Sequence, residues 1–210
     1  MYPRPMPRHK GDHDARRRDV SAAVWRVLVA RGFGGLTLRA VATEMGATTG
    51  LITHYFPSKK DLLAHALTVL DEHRATRPRR TAPECPAPPE GLPALRAALM
   101  ETLPLTREAI ADSRIWVSSW DAALADPSLT SGHGARYAQS RERIRHHVRE
   151  AQLRGELPAS DPDETAAVVQ SFVLGLVVQA LFSAEELPAA RQVRLLDGFL
   201  ATLASAAGGP

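Results

Sequence analysis

The 210-residue chain has one cysteine and no long uninterrupted apolar stretch. The single cysteine, Cys85, excludes a disulfide framework within the chain and fits a reducing compartment. The longest apolar run, Phe172 to Phe182, is interrupted by Gln179 and is shorter than the roughly 18 residues that a membrane-spanning helix needs. The N-terminal segment MYPRPMPRHKGDHDARRR has no apolar core, so we expect no secretory signal. These absences predict a cytoplasmic protein without membrane contact.

Residue types that form metal centres or catalytic sites are present, but without the spacing that such sites need. His146 and His147 are adjacent, so their side chains diverge on a helix. His9 and His13 lie in a segment without helical periodicity, and Cys85 has no nearby histidine to activate it. No glycine-rich phosphate loop follows a strand pattern, and Cys and His form no metal-ligand set. We therefore expect no enzyme activity, no cofactor and no metal.

Positive charge is concentrated near the N-terminus. Residues 1–60 contain eleven Lys and Arg against four Asp and Glu, whereas residues 61–210 contain fifteen against nineteen. The balance is thus +7 for the first part and −4 for the second, which favours a polyanionic partner for the first part alone. The alternative is a basic segment that is only solvated, and charge does not distinguish the two. The arginines that would add salt-sensitive affinity for a polyanion are Arg4, Arg8, Arg16, Arg17 and Arg18.

Apolar spacing predicts helices along the chain, and no stretch alternates as a strand would. The first helix carries a stripe formed by Val20, Ala23, Val24, Val27 and Leu28. The predicted fold is all-α, with an N-terminal three-helix helix-turn-helix domain and a C-terminal helical bundle. The predicted segments are a flexible basic arm (1–14), the helix-turn-helix domain (15–57), a connecting helix (58–77), a proline-rich loop (78–92) and a helical body (93–206).

The segment 36–63, LTLRAVATEMGATTGLITHYFPSKKDLL, has the pattern of two short helices followed by a longer one. Its predicted caps and turn residues are, in order, Thr37, Gly46, Thr48 or Thr49, and Ser58 with Asp61. A helix-turn-helix of this kind places one helix in the DNA major groove while its neighbours contact the backbone. The segment therefore predicts a double-stranded DNA partner.

Small and hydrogen-bonding side chains are expected on the outer face of the second short helix, where they can approach base edges. These residues are Thr48, Thr49, Gly50, Thr53 and His54. Tyr55 and Lys59 flank the following break and are candidates for one phosphate contact. Each has an alternative: Thr48 or Thr49 is only a cap, His54 is a surface histidine and Tyr55 is a packing aromatic.

The same residues resemble the DNA-binding domain of the TetR family of bacterial transcriptional regulators, over residues 15–63 without gaps. The matching pieces are Gly32-Phe33, Leu36-Thr37, Val41-Ala42, Gly46, Gly50, His54-Tyr55-Phe56, and Lys59 followed by Leu62. The resemblance implies a homodimer, a palindromic operator and a further DNA contact from Arg39. Many family members carry tyrosine where this chain has Thr53, so no family operator is transferred to it.

The helical body is larger than a small DNA-binding domain needs, so we expect it to dimerise and to hold a small-molecule effector. Its expected helices are 92–103, 105–125, 128–155, 162–183 and 188–206. Residues 166–182 are apolar almost all round and must be covered on more than one side. The resemblance implies that the last two helices pair with their symmetry mates in a four-helix bundle. The candidate interface residues are Phe172, Gly175, Leu176, Phe199 and Leu200. The alternative is the buried core of a monomer.

A candidate effector site lies around two tryptophans. On a continuous helix, Trp116, Trp120 and Leu124 share one face, and Asp121 flanks it. Residues 112–183 are similar to the subfamily of the choline-responsive betaine-pathway repressor. Tryptophan faces beside a carboxylate can hold an alkylated cation. The alternative is that the tryptophans only fill the core. Gln170 either faces the same pocket or hydrogen-bonds internally.

Together these features predict a homodimeric, TetR-like repressor that binds a palindromic operator and responds to a small-molecule effector. The alternative is a ligand-independent DNA-binding or partner-docking protein whose body is only a dimerisation scaffold.

Overall fold

A computed structural model describes residues 10–76 and 90–205. These residues form ten helices and no strand, in agreement with the all-α prediction. The chain separates into two compact units, Met1–Thr76 and Arg77–Pro210. Arg4, Arg8, His9 and Cys85 lie outside the described residues, as does most of the predicted arm and proline-rich loop.

The first unit contains four helices, which we number in chain order. They are α1 (Lys10–Arg31), α2 (Leu38–Glu44), α3 (Thr49–Tyr55) and α4 (Lys59–Thr76). Helix α1 begins at Lys10 rather than at the predicted Ala15. Apolar spacing reveals only those turns that pack on a core, and the segment KGDHD before Ala15 has no apolar residue.

Local sequence signals set the ends of these helices. Gly32 ends α1 with φ 66°, and its N–H donates to the Leu28 carbonyl oxygen at 2.9 Å. The Thr37 hydroxyl accepts the Ala40 N–H at 3.0 Å and caps α2. Gly46, with φ 61°, makes the turn to α3. These positions carry the residue types that each backbone conformation requires.

A capping box starts α4. The Asp61 N–H donates to the Ser58 hydroxyl at 3.2 Å, and the Asp61 carboxylate accepts the Ser58 N–H at 3.0 Å. The core of the first unit joins the inner faces of all four helices. Its largest fully buried side chains are Val20, Val24, Leu28, Leu36, Ile52, Leu62, Leu67 and Leu70.

The second unit contains six helices. They are α5 (Gly91–Met100), α6 (Arg107–Ser118), α7 (Trp120–Ala125), α8 (Pro127–Leu153), α9 (Pro162–Phe182) and α10 (Ala189–Ser205). The single helix predicted over 105–125 is divided into α6 and α7 at Ser119. Asp161 caps α9 and Pro162 takes its first position, as the sequence indicates. Side chains from α5, α8, α9 and α10 make one continuous core.

Helix α9 is unusually apolar. Within the described residues it is the one helix that is long and apolar enough to cross a membrane by length and composition, and 33% of that stretch is buried inside the chain. The sequence predicted no such segment because polar residues divide its apolar runs. Gln170, Ser171 and Gln179 interrupt the run without adding charge. Much of α9 is therefore only partly covered within its own chain.

Candidate DNA interface and effector site

Helix α3 is seated by its inner face and exposes its outer face. Ile52 has no exposed surface, and Phe56, immediately after the helix, is also buried. On the opposite side the exposed residues are Thr49, Gly50, Thr53 and His54. The predicted outer residues thus share one exposed face, which no other part of the described first unit covers.

The three threonines at this helix have different hydrogen bonds. The Thr48 hydroxyl accepts the Leu51 N–H at 3.4 Å, so Thr48 and not Thr49 is the N-cap. The Thr53 hydroxyl donates to the Thr49 carbonyl oxygen at 2.9 Å. The sequence left the identity of the cap open, and the structure decides it.

Gly50 has no structural need to be glycine. Its φ is not positive, and a Cβ built there would meet only the Thr48 hydroxyl oxygen, 3.9 Å away. Glycine inside a helix costs about 0.5–1 kcal/mol relative to alanine. Neither the backbone conformation nor packing within the described chain therefore explains the glycine at position 50.

The start of α4 places positive charge beside α3. Lys59 is exposed in the first turn, where the helix dipole is unfavourable for a cation. Tyr55 is half-buried at the end of α3, and its ring meets the His54 ring edge-on at 5.8 Å. Arg39 is exposed on α2. These positions fit phosphate contacts around a central α3, although Tyr55 also has a packing role.

A histidine that the sequence did not single out lies behind α3. The His65 ring on α4 contacts Phe56 at 5.0 Å between centroids, and its Nε2 lies 3.0 Å from the Ser21 hydroxyl on α1. Burial lowers the pKa of His65, Glu72 raises it and Arg17 lowers it further. His65 therefore links α1 and α4 at the residue that ends α3, and it favours the neutral form.

A second side-chain contact in this unit joins α1 to α2. The Arg26 Nε donates to the Glu44 carboxylate at 2.5 Å.

An aromatic cluster occupies the predicted effector region of the second unit. Trp116 is 8% exposed and stacks on His133 of α8, with centroids 4.4 Å apart and planes 15° apart. Tyr137, one turn further along α8, meets Trp116 edge-on at 5.7 Å. Burial raises the pKa of Tyr137, and interaction with the Trp116 and Trp120 side chains opposes this. The cluster is thus built from α6 and α8, and the sequence identified only the α6 residue.

Polar groups hold His133 in place. Its Nε2 lies 2.9 Å from the Ser119 hydroxyl, and its Nδ1 lies 3.2 Å from the Leu129 carbonyl oxygen. The Ser119 hydroxyl donates to the Trp116 carbonyl oxygen at 2.6 Å. The break between α6 and α7 therefore positions the imidazole on the indole. The buried carboxyl that lies closest to Trp116 in the sequence is that of Asp112, one helical turn earlier.

The structure corrects one sequence prediction about this region and makes two others more specific. Leu124 does not share a buried face with Trp116, because the helix breaks at Ser119 and Leu124 is 84% exposed. Asp121 is exposed on α7, so the buried carboxyl is that of Asp112. The Gln170 amide donates to the Tyr137 carbonyl oxygen at 2.9 Å and accepts from Arg141 at 3.2 Å. That bracing of α8 to α9 favours the internal role that the sequence left open.

The predicted dimer residues fall into two groups. Leu176 and Leu200 are buried in the core of their own chain, so they are not free for a partner. Phe172 and Phe199 are half-buried and stack on each other with centroids 4.0 Å apart. A Cβ on Gly175 would meet nothing within 4 Å. Phe172 and Gly175 therefore lie on an open face of α9.

A groove of about 440 Å³ lies between α5 and α10, away from the tryptophans. The Arg96 guanidinium donates to both carboxylate oxygens of Asp197, at 2.5 and 3.0 Å, across this groove. Glu156 accepts the Leu92 N–H at 2.5 Å. Because these charges already have partners, the groove offers a ligand mainly apolar contact.

The fold is that of a helix-turn-helix transcriptional regulator with a helical regulatory body. Residues 21–66 match the family described as bacterial regulatory proteins, tetR family, and residues 92–205 match the BetI-type transcriptional repressor, C-terminal. The chain belongs to the TetR family, with a C-terminal domain of the BetI type, and is a DNA-binding transcriptional regulator.

Relatives by sequence agree with this assignment. The HTH-type transcriptional regulator PksA of Bacillus subtilis is 32% identical over 105 residues, which span half of each chain. The HTH-type transcriptional regulator BetI of Burkholderia mallei is 25% identical over 191 residues, or 90% of this chain and 94% of that one.

Two solved structures share the fold. A putative transcriptional regulator from Saccharomonospora viridis in complex with choline has a TM-score of 0.75 and 21% identity, over 90% of this chain and 96% of that one. A putative TetR-family regulator from Rhodococcus sp. has a TM-score of 0.74 and 23% identity, over 90% and 98%.

Proposed function

We propose that this chain is a homodimeric repressor that binds a palindromic operator through α3 and is released by a small-molecule effector. The observation that carries DNA binding through α3 is Gly50. It lies on the exposed face of a short helix where nothing inside the chain requires glycine. A bare backbone at this point lets the helix approach base edges closely.

Phosphate contacts would orient α3 on the duplex. Arg39 lies on α2 and Lys59 on α4, the two helices that flank α3, and Tyr55 is the last residue of α3 itself. Lys59 is the strongest candidate, because an exposed cation in the first turn of α4 gains nothing from the helix itself.

A second copy of the chain is the proposed cover for α9. Its outer stripe has helical spacing and consists of Val168, Phe172, Gly175, Gln179 and Phe182. Phe182 is 80% exposed, and Leu195 on α10 is also exposed. Burying this stripe against its symmetry mate removes apolar surface from water. Such a twofold dimer requires half-sites about one helical turn apart.

The effector is proposed to bind at the Trp116 cluster. One neighbour of the same fold is a choline complex. An indole face attracts a quaternary ammonium, and Tyr137 and Asp112 supply a second aromatic ring and a buried carboxyl in the same region. The His133 imidazole already stacks on Trp116, so a cation that uses this face must displace it. Displacement would disturb the Ser119 hydroxyl at the α6–α7 break.

The same contact supports one rival function. If His133 never leaves Trp116, the cluster only fills the hydrophobic core, and the helical body is a dimerisation scaffold whose DNA affinity does not respond to a ligand. An effector shifts DNA affinity only as far as it prefers one state of the protein over the other. Relatives are bacterial regulators of transcription, so we propose the bacterial cytoplasm as the place of action.

The test is selection of bound fragments from genomic DNA by the full-length protein, followed by titration of choline against the complex. The proposal predicts a palindromic site, one dimer per site, and release of DNA on ligand addition. Failure to select any sequence would refute DNA recognition. A selected site with no response to choline or to related alkylated amines would favour the scaffold.

A further inference from the structure

Thr49 and Thr53 lie one turn apart on the exposed face of α3 but differ in what their hydroxyl groups can offer. The Thr53 hydroxyl donates its only hydrogen to the Thr49 carbonyl oxygen at 2.9 Å. The Thr49 hydroxyl makes no such bond among the residues that the structure describes. Thr53 therefore has its γ-methyl group and oxygen lone pairs left for DNA, whereas Thr49 still has a donor.

This difference limits which base edge suits Thr53. Guanine offers only acceptors, N7 and O6, along its major-groove edge, so it needs a donor that Thr53 has already used. Thymine is the base that carries a methyl group on that edge, and apolar contact with it is a recurrent mode of recognition. Cytosine has the same ring position without the methyl group, and its amino group, like that of adenine, would contact the Thr53 oxygen instead, an alternative that variants of Thr53 distinguish.

We propose that Thr53 is a specificity-determining residue that recognises thymine through contact between its γ-methyl group and the thymine C5-methyl group. This inference rests on the proposed insertion of α3 into the major groove. The backbone carbonyl of Thr49 is what orients Thr53, since it holds the hydroxyl along the helix. Gly50 assists by leaving the adjacent surface bare.

The experiment uses the full-length protein and an operator obtained by selection. Each thymine is replaced in turn by deoxyuridine, which removes only the 5-methyl group. For the wild-type protein we expect one position per half-site at which the replacement weakens binding about four-fold, the effect of one buried methyl group. Replacing thymine by cytosine there should weaken binding, and 5-methylcytosine should restore part of the loss.

Two variants separate the methyl group from the hydroxyl. Thr53→Ser keeps the hydroxyl and loses the methyl group, so its preference for thymine over uracil should vanish at that position. Thr53→Val loses the hydroxyl but keeps a methyl group on a β-branched side chain whose χ1 angle the helix itself restricts, so it should retain the preference. Thr49→Val is the comparison, and it should weaken operator binding without changing the thymine-to-uracil ratio.

The opposite pattern overturns the inference. If Thr53→Ser keeps the preference and Thr53→Val loses it, the hydroxyl makes the contact. If no thymine is sensitive to loss of its methyl group, Thr53 does not recognise thymine in this way, while operator binding through α3 still stands. If no operator is selected, or if substitutions at Thr49 and Gly50 leave binding unchanged, the proposed function itself fails. Circular dichroism and melting temperature confirm that each variant is folded.

Discussion

The imidazole of His133 stacks on the indole of Trp116, with ring centroids 4.4 Å apart and 15° between the planes. This contact joins α8 to the end of α6 at the point where the helix breaks before α7. It also covers the aromatic face that a cationic effector would use. Whether the pair is a fixed core contact or a displaceable one decides between the regulated and the unregulated function.

The first prediction concerns this pair. His133→Ala should uncover the Trp116 face and increase the affinity for choline or a related alkylated amine, measured by calorimetry. It should also lower the free energy of unfolding by about 2 kcal/mol, because a buried ring and its hydrogen bonds are lost.

The matched control is His73→Ala. His73 stacks on Trp25 with centroids 3.8 Å apart, but in the DNA-binding unit. The His73→Ala substitution should not change the affinity for choline or a related alkylated amine. Equal ligand binding by wild type and both variants would argue that Trp116 is not part of an effector site.

A second prediction concerns Lys59. Lys59→Ala should weaken binding to specific and nonspecific DNA alike and reduce the slope of log affinity against log salt by about one per bound subunit. Arg143→Ala removes the same charge from an exposed position on α8 and should change neither quantity. An effect of Lys59→Ala that is confined to one operator base would show that this side chain contacts a base.

The third prediction concerns the open face of α9. Phe182→Glu should convert the protein from dimer to monomer in sedimentation experiments, since it places a charge on the proposed interface. Leu153→Glu, at an equally exposed leucine on α8, is the control and should leave the dimer intact. A dimer that tolerates Phe182→Glu would place the interface elsewhere, and a protein that sediments with detergent or lipid would indicate a membrane for α9.

The fourth prediction is a pH dependence caused by His65. Burial depresses the folded-state pKa of His65 below its ordinary value of 6.5, so the neutral form stabilises the fold. This contribution is complete above pH 6.5 and is lost as pH falls through the folded-state pKa. His65→Gln should therefore flatten the fall in unfolding free energy on the acid side of pH 6.5. An unchanged slope in chemical denaturation at a series of pH values would contradict this.

The sequence predicted most of the local structure. The signals at Thr37, Gly46, Ser58 and Asp161 are short-range, because each cap or turn depends on residues within one helical turn. For the same reason the outer face of α3 follows from helical spacing alone.

The aromatic cluster could not be predicted in the same way. No glycine or proline marks Ser119, so the sequence predicted a continuous helix and placed Leu124 beside the tryptophans. The break is explained only by the packed structure, in which His133 of α8 lies within hydrogen-bond distance of the Ser119 hydroxyl. Likewise, Leu176 and Leu200 resemble interface residues by type, and only the packing of α5, α8 and α10 shows that they are buried.

The most direct test of DNA binding through α3 compares Gly50→Ala with Gly134→Ala. Both glycines are exposed within helices, and neither Cβ would meet an atom closer than 3.9 Å. Each alanine should raise the free energy of unfolding by about 0.5–1 kcal/mol. Only Gly50→Ala should weaken operator binding, by about ten-fold, because its methyl group keeps α3 from the base edges. Operator affinity that is unchanged or increased in Gly50→Ala, measured beside Gly134→Ala, would contradict the account.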